Sequence, residues 1–300
     1  MNKIIVLGSA NMDMVMRTSR IPEIGETMQG EGFFLSPGSK GANQAVACAK
    51  MGADTWFMGK VGDDLFGQSL IDGLAGYGVR TDYMVRELNV TTGVAAITVL
   101  NGYNSIILDG GANNHVTPDY IRSYEQELLS AAAVMLQLEI PMETVYEAVR
   151  MLKGKVPIFL NPAPAVPIDE DILRSVDYFT PNEIECRLYT DVEIRSTDDG
   201  LRALDVLRGK GIRYPLITLG EKGIVYFNGT ENVYKVARKV EAVDTTAAGD
   251  TFSGTLAAMI ITGKSMDEAV DLAQRASAIA VTRLGAQEAI PKVGEILGQK

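Results

Sequence analysis

Short, β-rich and largely apolar runs at 133–138, 157–160, 177–180 and 216–219 are separated by longer stretches in which apolar positions recur at helical spacing. Runs this short read as strands buried on both faces, and the stretches between them as crossover helices. The first apolar run, 4–7, predicts another buried strand. The expected fold is therefore α/β: a doubly wound, mainly parallel sheet with helices on both faces. Two stretches break this rhythm. The span 17–35 carries Pro22, Gly25, Gly30 and Gly32, and 94–108 holds apolar runs split by Asn101-Gly102, a hairpin signal. Both predict strands of a small antiparallel β-sheet, within about 14–36 and 92–109, forming a lid on a single domain over 1–300. Near the C-terminus one helix is predicted to follow Gly249-Asp250 and stop at Gly263. The next opens on Ser265-Met266-Asp267-Glu268, a capping box, and carries Ala269, Leu272, Ala273, Ala276 and Ala280 along one face.

Composition then excludes several classes. With 46% hydrophobic and 22% charged residues in 300, the chain has a globular mix, so neither disorder nor a collagen-like repeat is expected. A net charge of −10 argues against nucleic acid as the main partner, because such binders need a cationic surface. Cys48 and Cys186 are too few for a disulfide framework or a cysteine zinc site, which fits a reduced, cytoplasmic setting. The opening residues hold only a short apolar stretch before Gly8, so neither a signal peptide nor a membrane span is expected. The single histidine, His115, rules out a multi-histidine metal site. It follows the polar run Gly110-Gly111-Ala112-Asn113-Asn114 and is expected in a loop.

The most informative segment is Val243-Asp244-Thr245-Thr246-Ala247-Ala248-Gly249-Asp250-Thr251-Phe252-Ser253-Gly254. Small residues lead directly into a helix, which leaves first-turn amides open to an anion. Two readings of Asp250 stand at this point: a helix-start carboxylate that complements the dipole, or a general base beside an anion hole that takes a hydroxyl proton during phosphoryl transfer. Two other motifs fail on spacing. Gly263-Lys264-Ser265 looks like the end of a P-loop, but Ala258 stands where the first glycine is required. The first strand ends Gly8-Ser9-Ala10-Asn11, without the Gly-x-Gly-x-x-Gly of a dinucleotide site.

The run Asp244-Thr245-Thr246-Ala247-Ala248-Gly249-Asp250 closely resembles the C-terminal signature of the ribokinase-like sugar kinases. About 200 residues earlier, Gly38-Ser39-Lys40-Gly41-Ala42-Asn43-Gln44-Ala45-Val46-Ala47 resembles their N-terminal signature. Gly8-Ser9-Ala10-Asn11-Met12-Asp13 is similar to the family's first sugar-binding loop, Gly62-Asp63-Asp64-Leu65-Phe66-Gly67 to its internal turn, and Asn161-Pro162-Ala163-Pro164-Ala165 to the segment after a central strand. Pro181-Asn182-Glu183-Ile184-Glu185 resembles the metal-associated Asn-x-x-Glu element, and Thr218-Leu219-Gly220-Glu221-Lys222-Gly223 the nucleotide-binding turn. The resemblance covers nearly the whole chain, and within the family the Gly-Ala-Asn-Gln run is most similar to the ribose-phosphorylating members.

The resemblance implies an ATP-dependent kinase that phosphorylates the 5-hydroxymethyl group of D-ribose; its alternatives are another pentose, a ketohexose or a nucleoside, or an inactive sugar-binding protein on the same fold. It implies sugar contacts at Asn11, Asp13, Ser39, Lys40, Gly41, Asn43, Glu139 and Asp250, with Asp250 the base and Ala247, Ala248 and Gly249 beside it in the anion hole. Nucleotide contacts are implied at Asn182, Thr218, Gly220, Glu221, Gly223, Gly249 and Gln274, and a water-mediated Mg²⁺ contact at Glu185. An activating monovalent cation, K⁺, is implied at Asp244, Thr246, Ala280, Arg283, Gly285 and Ala289, mostly through carbonyls. A homodimer through the lid is implied as well. Three positions depart from the family pattern: Ser39 and Ala247 stand where glycines are common, and Ala289 lacks a serine hydroxyl near the cation.

Overall fold

In a computed structural model the described residues are 2–100 and 103–298. Thirteen strands are named among them: β1 (Lys3–Leu7), β2 (Asn11–Arg17), β3 (Gly32–Gly38), β4 (Asp54–Gly62), β5 (Arg80–Glu87), β6 (Gly93–Leu100), β7 (Tyr103–Asp109), β8 (Ala133–Leu136), β9 (Ile158–Leu160), β10 (Tyr178–Phe179), β11 (Tyr214–Thr218), β12 (Ile224–Phe227) and β13 (Asn232–Lys235). The main sheet runs β13-β12-β11-β10-β9-β8-β1-β4-β5. From β11 to β5 every pairing is parallel, while β12 and β13 add an antiparallel edge. Alternation along β1 shows why the core has two halves: Ile4 and Val6 join one buried cluster, Ile5 and Leu7 the other.

Chain order reverses at β1, with β4 and β5 on one side and β8 to β11 on the other. In a sheet of this kind the crevice for a ligand lies at the carboxyl ends of the strands beside that reversal. Ser9 follows β1, Gln137 follows β8, Asn161 follows β9, Thr180 follows β10, and Thr218 ends β11. All five stand on that rim.

The lid is the separate sheet β3-β2-β6-β7. It differs from expectation in two respects. β2 pairs with β6 in parallel, so the sheet is mixed, because β2 leaves the main sheet directly from β1 while β6 returns only after β5. Residues 18–31 of the expected strand region are not strand; Pro22 and the glycines there favour a loop, and the strands flank it. β6 and β7 pair antiparallel as far as Leu100 and Tyr103, while the Asn101-Gly102 turn lies outside the described residues. His115 ends a short 3₁₀ turn, Gly111–His115, on the surface.

Three helices carry the site: Lys40–Lys50, Ala248–Ile261 and Met266–Ala280. The last has the predicted Ser265/Glu268 capping box, and Gly263 ends the middle one at a positive φ of 89°. Lys40–Lys50 packs on Ala248–Ile261 at Gly254, where a Cβ would stand 2.6 Å from both Ala47 Cβ and the Gln44 carbonyl. That approach holds the two helix starts together. Among the described residues no helix is long and apolar enough to cross a membrane.

Candidate active site

Both ends of the lid feed into this rim. β2 begins at Asn11 and carries Asp13; β3 ends at Gly38, opposite Asn11, and passes through Ser39 into the Lys40 helix. Gly38 leaves room for the Asp13 carboxylate, since a Cβ there would lie 2.2 Å from Asp13 Oδ2. Asn11 is fixed by Asn113, whose Nδ2 donates to Asn11 Oδ1 at 2.6 Å and whose Oδ1 accepts the Ala10 amide at 2.9 Å. Glu139 Oε2 accepts the Ser9 hydroxyl at 2.6 Å and the Lys40 amide at 3.0 Å, tying the ends of β1, β8 and the Lys40 helix together.

Asp250 lies in the first turn of Ala248–Ile261 and is only 7% exposed. Asn43 Nδ2 donates to its Oδ2 at 3.0 Å and Gln44 Nε2 to its Oδ1 at 3.1 Å. Burial pushes the Asp250 carboxyl above the ordinary range, with Glu139 adding to it; Lys40, Asn43 and Gln44 pull the other way. Burial also acts against the Lys40 ammonium, but Asp250, Glu139 and Glu185 outweigh it and leave its pKa raised. A cation is therefore held beside the buried carboxylate. Burial first, and Asp250 next, raise the Glu185 carboxyl, while the Asn182 amide and Lys40 oppose them.

A cavity of about 210 Å³ opens here, lined by Lys40, Asn161, Ala163, Thr180, Asn182, Glu185, Thr218, Thr245, Ala247, Ala248, Gly249, Asp250 and Ser253. It brings together the predicted Lys40, Asn182, Glu185, Thr218 and the whole 247–250 run. Ala247 has φ 58° and turns the chain into the helix, as the glycine it replaces would. Nothing stands within 4 Å of where a Gly249 Cβ would be, so the cavity approaches the backbone closely there. The Gly249 and Asp250 amides are in the first helical turn, without a preceding intrahelical carbonyl, whereas the Ala248 amide is already bonded to the Thr245 carbonyl at 3.3 Å. Asn182 and Glu185 cap the helix Glu183–Thr190 reciprocally, each bond 2.8 Å, which fixes both at the cavity wall.

Other predicted residues lie around the cavity rather than in its lining. Asn11, Asp13, Ser39, Gly41, Asn43 and Glu139 form the lid side. Ser39 donates its hydroxyl to the Ser9 carbonyl at 2.6 Å, and Gly41 makes room for the Ser9 backbone, 2.6 Å from where its Cβ would be. Gly220 and Glu221 lie in an exposed turn beyond Thr218 that ends at the buried Gly223, which sits at φ 118° against Lys235. Gln274 is buried, its Nε2 donating to the Lys235 carbonyl at 3.4 Å and its Oε1 without a hydrogen-bond partner among the described residues. Asp244 accepts the Thr246 amide at 2.9 Å and the Gly285 amide at 3.1 Å, and its own amide donates to the Val281 carbonyl at 3.1 Å. Arg283 reaches the Ala289 carbonyl at 3.5 Å, and its amide donates to the Ala280 carbonyl at 3.0 Å. The 244–246 and 280–289 segments are thus one knot beside the turn into Ala248–Ile261.

Gln44, Gln137, Asn161, Asn113, Ser9, Thr180 and Ser253 also build the site, with no role of their own among the sequence expectations. Thr180 and Ser253 are buried partners at 3.2 Å in the cavity wall. A signal existed for Gln137: it is a lone amide inside a run otherwise read as buried strand.

Chemically, the arrangement joins a buried carboxylate, a neighbouring ammonium, first-turn amides and a rim of polar side chains. It suits proton removal from an alcohol with transfer of an anionic group. Residues 1–293 match the family model described as pfkB family carbohydrate kinase. The chain is 39% identical over 298 residues to a ribokinase of Bacillus subtilis, covering 99% of this chain and 98% of that one, and 35% identical to a deoxyribokinase of Salmonella typhi, covering 97% and 96%. Among solved structures it is similar to Arabidopsis thaliana ribokinase complexed with ribose and ATP, with a TM-score of 0.92, 32% identity, and 98% and 97% of the two chains covered.

Proposed function

Because the chain belongs to the pfkB family of carbohydrate kinases, and so transfers phosphate from ATP to a sugar, we propose that its acceptor is D-ribose and its product ribose 5-phosphate. The observation that carries this reading is Asp250: a buried carboxylate in the first turn of a helix, held by Asn43 and Gln44, facing a cavity that also receives Lys40 and the Gly249 amide. The likeness to ribokinases over nearly full length supports ribose as the acceptor.

In this mechanism the 5-hydroxyl of the sugar, positioned by Asn11, Asp13, Lys40, Asn43 and Glu139, gives its proton to Asp250 as its oxygen attacks the γ-phosphate in line. The Gly249 and Asp250 amides hold the charge that builds on the transferring group. Asn182, Thr218, Gly220, Glu221, Gly223 and Gln274 bind the nucleotide. Mg²⁺ fits Glu185, whose Oε2 is occupied by the Asn182 amide, leaving the rest of the carboxylate for the waters this ion retains. When bound, the ion neutralises phosphate charge. K⁺ fits the knot of Asp244, Thr246, Ala280, Arg283, Gly285 and Ala289, because the Asp244 carboxylate braces a carbonyl-rich turn directly before the anion-facing residues. Exchange of K⁺ for a large organic cation at equal ionic strength tests that site. Two chains pairing through their lids complete the proposal.

Coupled ADP release across ribose, 2-deoxyribose, other pentoses, ketohexoses and nucleosides tests the acceptor; a higher kcat/KM for any of these than for ribose overturns it. Asp250→Asn should lower kcat by about 10²–10⁴-fold with ATP binding retained. Near wild-type turnover would remove Asp250 from the base role.

A further inference from the structure

Gln44 is fully buried and does not line the cavity, yet its side chain reaches the reacting carboxylate. Its Nε2 donates to Asp250 Oδ1 at 3.1 Å and to Asn161 Oδ1 at 3.2 Å, while its Oε1 accepts Gln137 Nε2 at 2.6 Å. Only one orientation of this amide satisfies all three neighbours. Rotated by half a turn, it would set its oxygen against two acceptor oxygens and its NH₂ against that of Gln137. Asn161 is itself fixed by a further bond. Asn161 Nδ2 donates to the Thr180 carbonyl at 2.9 Å, which leaves Asn161 Oδ1 for Gln44. The Gln137 oxygen packs against Gly8 and Gly41, where a Cβ would stand 2.1 Å and 3.0 Å from it. Two glycines of the sequence motifs thus leave the space that this amide occupies.

We propose that Gln44, oriented by Gln137 and Asn161, is a positioning residue for the reaction: it holds the Asp250 carboxylate in the orientation in which it accepts the hydroxyl proton. The proposal rests on the reading of Asp250 as the base. The two donors divide the carboxylate between them, Asn43 on Oδ2 and Gln44 on Oδ1, so neither oxygen is free to rotate. A donor aimed at a carboxylate also favours its charged form, which is the form a base must have and the form burial disfavours. Adjacent positions on one helix supply both donors, so the carboxylate is set by the Lys40–Lys50 helix as a rigid body.

Gln44→Met keeps the length of the side chain and removes its donors. In the full chain it should lower kcat about tenfold or more, the loss expected from one hydrogen bond to a charged group. KM for ATP should stay within about twofold, and the acid limb of the kcat–pH profile should move up by on the order of one pH unit. Gln137→Met should move the limb in the same direction by less, and the double variant should be no worse than Gln44→Met, since both act through one bond. An acid limb left at its wild-type position, or a kcat loss that only follows a loss of folded protein in circular dichroism, overturns the proposal. Gln44→Glu, of the same shape, supplies the answer if the methionine variant does not fold: a second carboxylate beside Asp250 should raise the limb, and an unmoved limb again overturns it. Asp250→Asn separates the two readings. Activity retained there removes the base; an inactive Asp250→Asn with an unshifted Gln44→Met removes only the positioning role.

Discussion

Ser39 joins β3 to the Lys40–Lys50 helix at φ 85° and ψ 153°. That corner of backbone space suits glycine and costs a residue with a side chain about 1–3 kcal/mol. The serine recovers part of this through its hydroxyl, which donates to the Ser9 carbonyl at 2.6 Å and contributes about 1 kcal/mol net. Ser39→Gly removes the strain, loses the bond, and adds freedom to the unfolded chain worth about 0.4–1 kcal/mol. The three contributions nearly cancel, so the glycine variant should lie within about 1 kcal/mol of wild type. Ser39→Ala keeps the strain and loses the bond, and should be destabilised by about 1 kcal/mol. Glycine is therefore expected to be more stable than alanine at this position by about 1 kcal/mol, the reverse of their order in ordinary helix or strand. Urea denaturation of the three proteins, with equal m-values, gives the order from the midpoints. An alanine variant as stable as the glycine variant would refute the assignment of strain to Ser39.

Two further predictions concern the lid. Burial first, and the neighbouring Glu139 second, push the Asp13 carboxyl up to about 7, so over roughly pH 4–7 the folded chain holds a proton that the unfolded chain has released, and stability should fall as pH rises through that window. Asp13→Asn should flatten that part of the stability–pH curve in urea titrations, and an unchanged slope would show that Asp13 is not its source. Ile107 is 76% exposed, with Phe33, Phe34, Ile106 and Leu108 also open on the same sheet; light scattering at micromolar concentration should give twice the 32.3 kDa chain mass, and Ile107→Asp should give monomers. A wild-type monomer, or a variant that still pairs, would set the lid dimer aside.

The fold was legible because buried parallel strands leave short apolar runs whatever their partners, and each of the five predicted body strands appears at or near its expected place. Direction within the lid was not legible: alternation along β2 and β6 is the same whether they run parallel or antiparallel, and only the path of the chain between them decides. The candidate site divides in the same way. Cavity residues that lie within motifs, such as Asp250 and Asn182, announce themselves by their neighbours in sequence. Gln137 and Asn113 act on residues more than ninety positions away, Gln137 on Gln44 and Asn113 on Asn11; the lone amide in an apolar run marks Gln137 as unusual, but no motif names the partner of either.

Ser39 and Ala247 join the two halves of this comparison. Read as sequence, each is a departure from a glycine; read as structure, both keep the positive φ that the glycine would have had, 85° and 58°. The backbone path at the two helix starts is therefore preserved against an intrinsic cost of about 1 kcal/mol or more at each position. What holds it is partly tertiary, the Ser39 hydroxyl on Ser9 and the Lys40 amide on Glu139, and partly local, the Thr251 amide on the Ala247 carbonyl at 2.8 Å in the first helical turn. A motif read as a string of residue types records only which side chains are cheapest at each φ. The site depends on the φ itself, because these two turns aim Asn43, Gln44 and Asp250 at one another.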